Sequence, residues 1–322
     1  MAREARINSA EKIPGNLLML SAESLSRFDQ DGFLQLQDFC DPAELLEVRH
    51  TIDDLFRRGV GRAEGAQYDM LGHDDDPNTQ SQPTLINPHH FSARLRSLDV
   101  RDRAAKVARQ LLGPKATPSF EHVILKPAGH SGATPWHQDE AYRVDPNFAY
   151  SQVSFWVPLQ NVTERNGCMQ FIPGSNRGDV LTHRSPENDP QVHALECAGE
   201  FDVASAVACP MDIGGATVHH GRTLHFAGPN FSSEPRYAYI LAFEVPPVAL
   251  RSKRSFQWND EKRAAHLKRR RDWRVRGGIF IEAGRKFRMG LWRQPGRFVF
   301  ELRRGLRALW AYATSRDSKD RR

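Results

Sequence analysis

The distribution of hydrophobic and polar positions divides the chain into a helical first part and a strand-rich second part. After an Asp-Gly turn at residues 31–32, a short apolar run covers residues 33–36. A helix is predicted next, because Asp41 suits the N-cap, Pro42 suits the first helical position and Glu44 completes a capping box. Apolar residues then recur at helical spacing, at Leu45, Val48, Ile52, Leu55 and Phe56. This face is expected to pack on the core.

A second helix is predicted over residues 101–112, and the stretch between the two helices has a different composition. Gly, Asp, Asn and Pro are scattered through residues 59–88. Such a composition favours a long loop or an insertion, and long loops in compact domains often act as lids. We therefore expect residues 59–88 to be irregular and to contribute substrate contacts.

Short apolar runs separated by turn sequences begin near Phe120. They cover residues 121–126, 152–158, 169–172, 216–219 and 236–245, and turn segments such as KPAGHSG and NVTERNG lie between them. Several short strands with regular turn signals predict a sandwich or barrel rather than a parallel α/β sheet. The expected fold class is therefore α+β and mainly β, a double-stranded β-helix (jelly roll, cupin-like) flanked by N-terminal helices.

Composition narrows the class of protein. The chain has 322 residues, enough for one large domain with an appendage. Its four cysteines lie far apart without a CxxC pair, which argues against a disulfide scaffold and a thiolate zinc site. The first residues lack the apolar core of a signal peptide, and no run approaches the roughly 20 apolar residues that cross a bilayer. We expect a cytoplasmic protein.

Charge separates the end of the chain from the rest. Residues 251–322 carry 23 Lys and Arg against 7 Asp and Glu, a formal charge of +16, so residues 1–250 carry −10 of the total of +6. We therefore predict a jelly-roll domain over residues 1–250 and a basic, partly amphipathic helical C-terminal extension over residues 251–322.

The extension has two alternative interpretations. Residues 268–271 form a basic block, and from residue 298 the apolar positions share one helical face, at Phe298, Leu302, Leu306, Leu309, Trp310 and Ala313. Such a helix suits peripheral contact with an anionic membrane, but it could equally pack on the domain with a basic outer face. Nucleic acid is not expected as a partner, because no known reading module accompanies the charge.

The segment PWHQDE contains the first candidate metal ligands. In an extended strand residues i and i+2 point to the same side, so His137 and Asp139 can face one ion. A third ligand is expected on a distant strand, and from residue types alone His219, His220 and His225 remain alternatives. Two histidines and a carboxylate on one face of an octahedral metal suit Fe(II), whereas Zn(II) would accept the same ligands with a water.

Four segments of the chain carry a family resemblance. They are FDQDGFLQLQDFCDPAELLEVRHTIDDLF, KPAG…TPWHQDEAY, SFWVPLQNVTERNGCMQFIPGSNRG and the distal stretch from Gly214 to Arg236. Together they resemble the phytanoyl-CoA dioxygenase family of Fe(II)- and 2-oxoglutarate-dependent oxygenases, over roughly residues 20–245. On this resemblance His225 is the third metal ligand, and His219 and His220 are strand residues beside the pocket.

The resemblance also implies how the co-substrate binds. It assigns Arg236 to the far carboxylate of 2-oxoglutarate, a bidentate task that suits a guanidinium and that a hydrolytic zinc site does not need. Trp156 takes the place of an aromatic residue beside the co-substrate, although core packing is an alternative. Ala227 replaces a frequent family serine, so one hydrogen bond to 2-oxoglutarate is expected to be missing.

The implied cofactors are Fe(II), 2-oxoglutarate as co-substrate and O2, with ascorbate as a stimulatory additive. The expected reaction is hydroxylation of an unactivated C–H bond in a small-molecule, acyl or lipid-like, or natural-product substrate, with release of succinate and CO2. Asp139 favours hydroxylation over halogenation, because related halogenases replace the carboxylate with a small residue. Desaturation or ring chemistry stays open.

Residues close to the ligand pair are candidates for substrate contact. On position alone we select Glu140, Tyr142 and Arg143. His122 and Lys126 lie on the preceding strand, but alternation does not decide whether they point inward.

Two other classes of function stay open beside the oxygenase. One is a non-catalytic jelly-roll module that binds a membrane or partner through its basic tail, and the other is a zinc hydrolase. The complete set of His137, Asp139, His225 and Arg236 favours the oxygenase, because neither alternative needs all four.

Overall fold

The computed structural model describes residues 11–12, 19–74, 80–129 and 131–288 of the chain. Helices in this part are α1 (Ala22–Asp31), α2 (Pro42–Arg57), α3 (Asp99–Leu112), α4 (Gln257–Asp260), α5 (Ala265–Trp273) and α6 (Ile279–Arg288). Strands are β1 (Glu11–Lys12), β2 (Phe33–Gln37), β3 (Gln67–Asp69), β4 (Pro83–Ile86), β5 (Thr117–Lys126), β6 (Thr134–His137), β7 (Phe148–Ala149), β8 (Gln152–Pro158), β9 (Met169–Phe171), β10 (His183–Arg184), β11 (Glu196–Cys197), β12 (Val207–Cys209), β13 (Ala216–His220), β14 (His225–Ala227), β15 (Arg236–Glu244) and β16 (Val248–Ala249).

An eight-stranded and a four-stranded sheet form the body of the protein. The strand orders are β1-β2-β13-β8-β15-β5-β4-β3 and β12-β9-β14-β6. Buried apolar side chains from both sheets meet between them, where the rings of Phe33 and Phe171 stack with centroids 4.5 Å apart. This arrangement confirms the predicted jelly roll, and it places the ends of β6, β14 and β15 around one interior space.

Helices α1, α2 and α3 cover the other face of the large sheet. The predicted apolar face of α2 is confirmed, since Leu45, Val48, Ile52 and Leu55 are all buried in the core cluster that also contains sheet residues. Helix α1 was not predicted. Its apolar stripe contains only Leu25 and Phe28, and it is delimited by a Ser21 N-cap and by Gly32 at φ 82°.

The predicted capping box of α2 is wrong in one residue. Asp41 does cap the helix, by accepting a hydrogen bond from the Ala43 N–H. The Glu44 carboxylate instead accepts hydrogen bonds from the N–H groups of Asp99 (2.8 Å) and Val100 (3.1 Å) at the start of α3. Leu98, the N-cap residue of α3, has no side-chain acceptor, so a neighbouring helix supplies the missing cap.

The prediction that residues 59–88 are irregular is also wrong in part. This stretch contains β3 and β4, which extend the large sheet at its edge. The Asp69 carboxylate organises the connection, because it accepts hydrogen bonds from backbone N–H groups at Leu71, Gly72, Ser81 and Gln82. Asp69 and Gly72, two of the residues that suggested a loop, therefore belong to the hydrogen-bonded end of a short strand pair.

The described part of the extension consists of α4, α5, a π-helical turn at Arg274–Gly278 and α6. The apolar positions from residue 298 onward lie outside the described residues. Within the described ranges, no helix combines the length and the apolar character needed to cross a membrane.

A buried ionic cluster joins α3 to the large sheet. The Glu121 carboxylate, which is 3% exposed, contacts His89 Nδ1 (2.8 Å) and Arg101 Nη2 (2.6 Å), and it accepts a hydrogen bond from the Tyr239 hydroxyl. Burial alone would raise the pKa of Glu121, but these contacts outweigh it and leave the pKa below its ordinary value. Glu121 therefore stays ionised and should contribute to stability.

Replacing Glu121 with glutamine should lower the free energy of unfolding by about 3–5 kcal/mol at pH 7, because it leaves buried partners uncompensated. The pKa of Glu121 is lower in the folded than in the unfolded state. The extra free energy of unfolding of the wild type is therefore fully present above the unfolded pKa of about 4.3, and it is lost as pH falls through the folded pKa. Urea unfolding across pH measures both effects. The control is Glu47→Gln, which breaks an exposed pair with Arg94 and should cost much less. Equal losses for the two variants would contradict the prediction.

Candidate metal centre

Pairing between β6 and β14 places two of the candidate ligands opposite each other. His137 ends β6 and His225 begins β14, and the two residues are cross-strand partners with ring centroids 4.1 Å apart. Asp139 follows in a 3₁₀ turn at Asp139–Tyr142, after Gln138 in an extended conformation, so the predicted i and i+2 geometry holds. Asp139 Oδ1 lies 3.8 Å from His137 Nε2 and 3.6 Å from His225 Nε2. Each residue thus offers one atom to a common point.

Backbone carbonyls fix the orientation of both imidazoles. His137 Nδ1 donates to the Pro135 carbonyl (2.7 Å), and His225 Nδ1 donates to the Thr223 carbonyl (2.9 Å). A proton held on Nδ1 leaves the Nε2 lone pair free, as a metal ligand requires. Burial lowers the pKa of both rings, that of His225 well below its ordinary value. Both are therefore neutral at pH 7, the form that binds a metal ion.

The two oxygens of Asp139 have different surroundings. Oδ1 faces the two histidines, whereas Oδ2 accepts a hydrogen bond from Ser154 Oγ (2.6 Å) and lies 3.4 Å from His219 Nε2. Burial alone would raise the pKa of Asp139, but the adjacent imidazoles of His219, His225 and His137 outweigh it and hold the pKa well below its usual range. The carboxylate is therefore ionised and turned so that one oxygen remains for a metal.

His219 lies closer to this cluster than its interpretation as an ordinary strand residue suggested. It is 2% exposed, and its ring centroid is 4.3 Å from that of His225. The alternation of β13 could have indicated this, because Val218 belongs to the core on the helix side and its neighbours must face inward. His220 instead accepts a hydrogen bond from the Arg222 N–H.

Arg236 is a buried cation, and no anionic side chain of the described residues neutralises it. It begins β15 with 1% exposure, its Nε donates to the Asn166 carbonyl (3.3 Å), and its Nη1 has no partner. Its Cζ lies 5.4 Å from the centroid of the Trp156 ring. Burial lowers the pKa of Arg236 to about 9, and no carboxylate of the described ranges pairs with it. An unpaired buried charge is costly, so this guanidinium fits an anionic ligand such as the far carboxylate of 2-oxoglutarate.

Gly167 lies beside this guanidinium, at a point where its backbone passes close to the Gly228 carbonyl. A Cβ atom at Gly167 would lie 2.3 Å from the Gly228 carbonyl oxygen and 3.4 Å from Arg236 Nη2, and the residue has φ +83°. Both the space and the backbone conformation therefore favour glycine here.

Strand β5, which precedes the ligand pair, contributes two inward residues, Lys126 and His122. The alternation of the sequence had not decided whether they point inward. Lys126 is fully buried, and its Nζ donates to the carbonyls of Gly132, Ala227 and Gly228. It fixes the backbone after His225 and has no donor left for a ligand. His122 lies near the cluster, and burial lowers its pKa to about 4, so it is neutral.

Of the three residues selected for substrate contact, only Tyr142 approaches the cluster. Its ring centroid lies 5.9 Å from that of His137. Glu140 is buried and pairs with Arg254 (2.7 Å), and Arg143 pairs with Glu244 (2.7 Å). The charged groups of Glu140 and Arg143 are therefore engaged within the protein.

Removing the hydroxyl at Ser154 should weaken metal binding about 10–100-fold, because Asp139 loses the partner that orients it. Titration of Ser154→Ala with Mn(II) measures the change. Ser119→Ala is a matched control, since the Ser119 hydroxyl is buried on β5 without a hydrogen-bond partner. Equal affinities of Ser154→Ala and the wild type would show that Ser154 does not orient the ligand.

Comparisons with known proteins agree with this geometry. Residues 28–238 match the family model described as Phytanoyl-CoA dioxygenase (PhyH). The chain is 25% identical over 226 residues to the probable alpha-ketoglutarate-dependent hypophosphite dioxygenase of Stutzerimonas stutzeri, covering 69% of this chain and 78% of that protein. It is 27% identical over 234 residues to the ectoine dioxygenase of Halomonas elongata, covering 67% and 68%.

A solved structure of higher identity carries the co-substrate. EvdO2 from Micromonospora carbonacea var. aurantiaca, complexed with 2-oxoglutarate, is 31% identical with a TM-score of 0.64, and the match covers 74% of this chain and 97% of that one. The family match contains His137, Asp139, His225 and Arg236, and it ends before the basic extension.

Proposed function

Because the chain belongs to the phytanoyl-CoA dioxygenase family, we propose that it hydroxylates an unactivated C–H bond of an acyl, lipid-like or natural-product substrate. It is a 2-oxoglutarate-dependent dioxygenase that uses Fe(II), 2-oxoglutarate and O2 and acts on a small molecule. The observation that carries the proposal is the buried guanidinium of Arg236, which no carboxylate of the described residues pairs with. It lies against Trp156, in the apolar cluster whose Phe171 ring contacts His225.

In this proposal Nε2 of His137, Oδ1 of Asp139 and Nε2 of His225 hold Fe(II). Three protein ligands on one side of an octahedral ion leave the remaining positions for other groups, the arrangement typical of non-heme Fe(II) oxygenases. When bound, Fe(II) and 2-oxoglutarate supply the oxidising chemistry, in which O2 converts 2-oxoglutarate to succinate and CO2 and gives its second oxygen atom to the substrate C–H bond.

The protein's own residues position these groups. The carbonyls of Pro135 and Thr223 hold the two imidazoles in the required tautomer, and Ser154 directs one oxygen of Asp139 away from the ion. Arg236 would hold the far carboxylate of 2-oxoglutarate, a task that suits a guanidinium, and Trp156 lies beside this guanidinium. Because Ala227 offers no hydroxyl, this contact depends on Arg236 more than it would with a serine there.

Succinate formation tests the proposal. Protein purified anaerobically is supplied with Fe(II), 2-oxoglutarate and ascorbate, O2 is admitted, and succinate is quantified, since slow turnover without the true substrate suffices for detection. We expect succinate with Fe(II) and none with Zn(II). Absence of succinate, together with absence of 2-oxoglutarate binding to the Fe(II)-loaded protein, would overturn the proposal.

A second proposal concerns the extension, which we propose brings a cytoplasmic enzyme into peripheral contact with anionic membranes. Three apolar side chains on the π-helical turn and α6 are exposed, with Phe280 at 79%, Ile281 at 48% and Val275 at 41%, and Arg271 and Arg276 are exposed nearby. Exposed apolar side chains with exposed cations close by in the sequence suit an anionic lipid surface.

Vesicle sedimentation tests this contact. The wild type should bind phosphatidylserine vesicles and not phosphatidylcholine vesicles, and Phe280→Ser/Ile281→Ser should bind less while forming succinate at the wild-type rate. Equal sedimentation of the wild type with both vesicle types, or with neither, would refute an electrostatic membrane contact.

A further inference from the structure

We infer that residues 254–266 of the extension are part of the active site, where they position the turn that carries Asp139 and the loop beside that turn. This inference rests on the proposed metal site. It concerns residues beyond the end of the family match at residue 238, so these contacts add to what the family pattern supplies.

The first contact is made to the residue after Asp139. Arg254 Nη1 lies 2.7 Å from Glu140 Oε1, and Arg254 Nη2 donates to the Phe148 carbonyl (2.7 Å). Glu140 is 4% exposed, and its backbone N–H donates to the Gly221 carbonyl (2.9 Å). The extension thus holds the turn through the Glu140 side chain, and Gly221, directly after β13, holds it through the Glu140 backbone.

The second contact completes the hydrogen bonding of the turn. A 3₁₀ turn as short as Asp139–Tyr142 leaves backbone carbonyls without partners inside the turn. Ala141 is fully buried, and its carbonyl accepts hydrogen bonds from Trp258 Nε1 (2.9 Å) and Asn259 Nδ2 (2.8 Å). Both hydrogen bonds to the Ala141 carbonyl therefore come from residues of the extension.

The third contact reaches a loop that leads back to the same turn. Lys262 Nζ donates to Ser185 Oγ and to the carbonyls of Val192 (2.9 Å) and Ala194 (2.5 Å). The next residue along the loop, Leu195, donates its N–H to the Tyr142 hydroxyl (2.8 Å). Extension, loop and turn thereby form a closed set of contacts beside the metal cluster.

The extension also contributes a ring to the site. His266 stacks on Tyr68 with centroids 3.8 Å apart and lies edge-on to His193 at 4.5 Å. His193 lies 5.8 Å from Tyr142, whose ring is 5.9 Å from that of His137. We call Tyr68, Tyr142, His193 and His266 the aromatic wall. It joins the extension to a metal ligand through consecutive ring contacts.

The test uses the full chain with Trp258→Phe/Asn259→Ala, which removes both donors to the Ala141 carbonyl and keeps an aromatic ring at position 258. We expect Mn(II) affinity to fall about tenfold, as for other partners that orient a metal ligand. Hydrogen exchange should become faster in residues 138–143 and stay unchanged in the large sheet. Lys268→Ala, an exposed side chain on the same extension, is the control and should match the wild type in both measurements.

The outcomes separate this inference from the proposed function. If the wild type binds neither metal nor 2-oxoglutarate, the proposed function fails. If the wild type binds both and the double variant matches it in affinity and exchange, this inference fails while the function stands. Trp258→Phe alone removes one donor with little loss of packing, so it should give an intermediate affinity even if the double variant folds poorly, and wild-type affinity would count against the inference.

Discussion

His225→Ala should abolish succinate formation and reduce metal affinity by more than the 10–100-fold expected when only an orienting partner is lost. The variant removes one of the three candidate ligands, and no other described residue completes the cluster. Mn(II) titration and succinate quantification measure the two effects separately.

His220→Ala is the matched control for this variant. It removes an imidazole from β13, the preceding strand along the chain, without touching the cluster, and it should retain metal binding. If His225→Ala kept its Mn(II) affinity and His220→Ala lost it, His220 would be the third metal ligand. The residue types alone left this choice open. His219→Ala should lie between them, because His219 approaches Asp139 at 3.4 Å without completing the cluster.

Arg236→Met should raise the Kd for 2-oxoglutarate by about 10²–10³-fold, the equivalent of about 3–4 kcal/mol for a buried ion pair that loses one partner. High 2-oxoglutarate should restore succinate formation, because the metal ligands are untouched. Arg236→Lys keeps the charge and loses the bidentate geometry, so its affinity should be intermediate. Isothermal titration of the metal-loaded protein gives the Kd.

Stability provides an independent check on the same residue. Without co-substrate, Arg236 is an unpaired buried charge, so Arg236→Met should leave the free energy of unfolding unchanged or increase it. If Arg236 served only to join strands, methionine would destabilise the fold and leave the affinity for 2-oxoglutarate unaltered. The two interpretations therefore predict different results for both the Kd of 2-oxoglutarate and the free energy of unfolding.

Local pattern predicted the strands that form mainly apolar runs. The limits of β8 were predicted as the structure has them, and those of β13 and β15 to within a residue, because these runs end at flanking turns. Strands β3 and β4 were not predicted because each is short, with three and four residues. The Asp69 carboxylate accepts hydrogen bonds from the N–H groups of Leu71, Gly72, Ser81 and Gln82, and local pattern does not reveal contacts of this kind.

Contacts between distant segments were not predictable from local pattern. Glu44 follows the sequence rule for a capping box, yet its carboxylate caps α3, more than fifty residues away. The basic residues of the extension similarly suggested a solvated face, whereas Arg254 and Lys262 bind buried acceptors. From the sequence we predicted His137, Asp139, His225 and Arg236 as site residues. In the structure the three metal-ligand candidates lie together, and Arg236 pairs with no carboxylate of the described residues. Their roles in binding Fe(II) and 2-oxoglutarate stay predictions.

The cross-strand pairing of His137 with His225 has a consequence for how this enzyme could be redesigned. Two imidazoles on neighbouring strands owe their separation to the sheet, so of the three ligands only Asp139 depends on a turn. The aromatic wall is assembled from separate segments, one of them outside the family pattern. Substitutions in this wall at Tyr68 and His193 should alter which molecule is accepted while the turn keeps its partners in the extension, so libraries aimed at new substrates belong at these two positions.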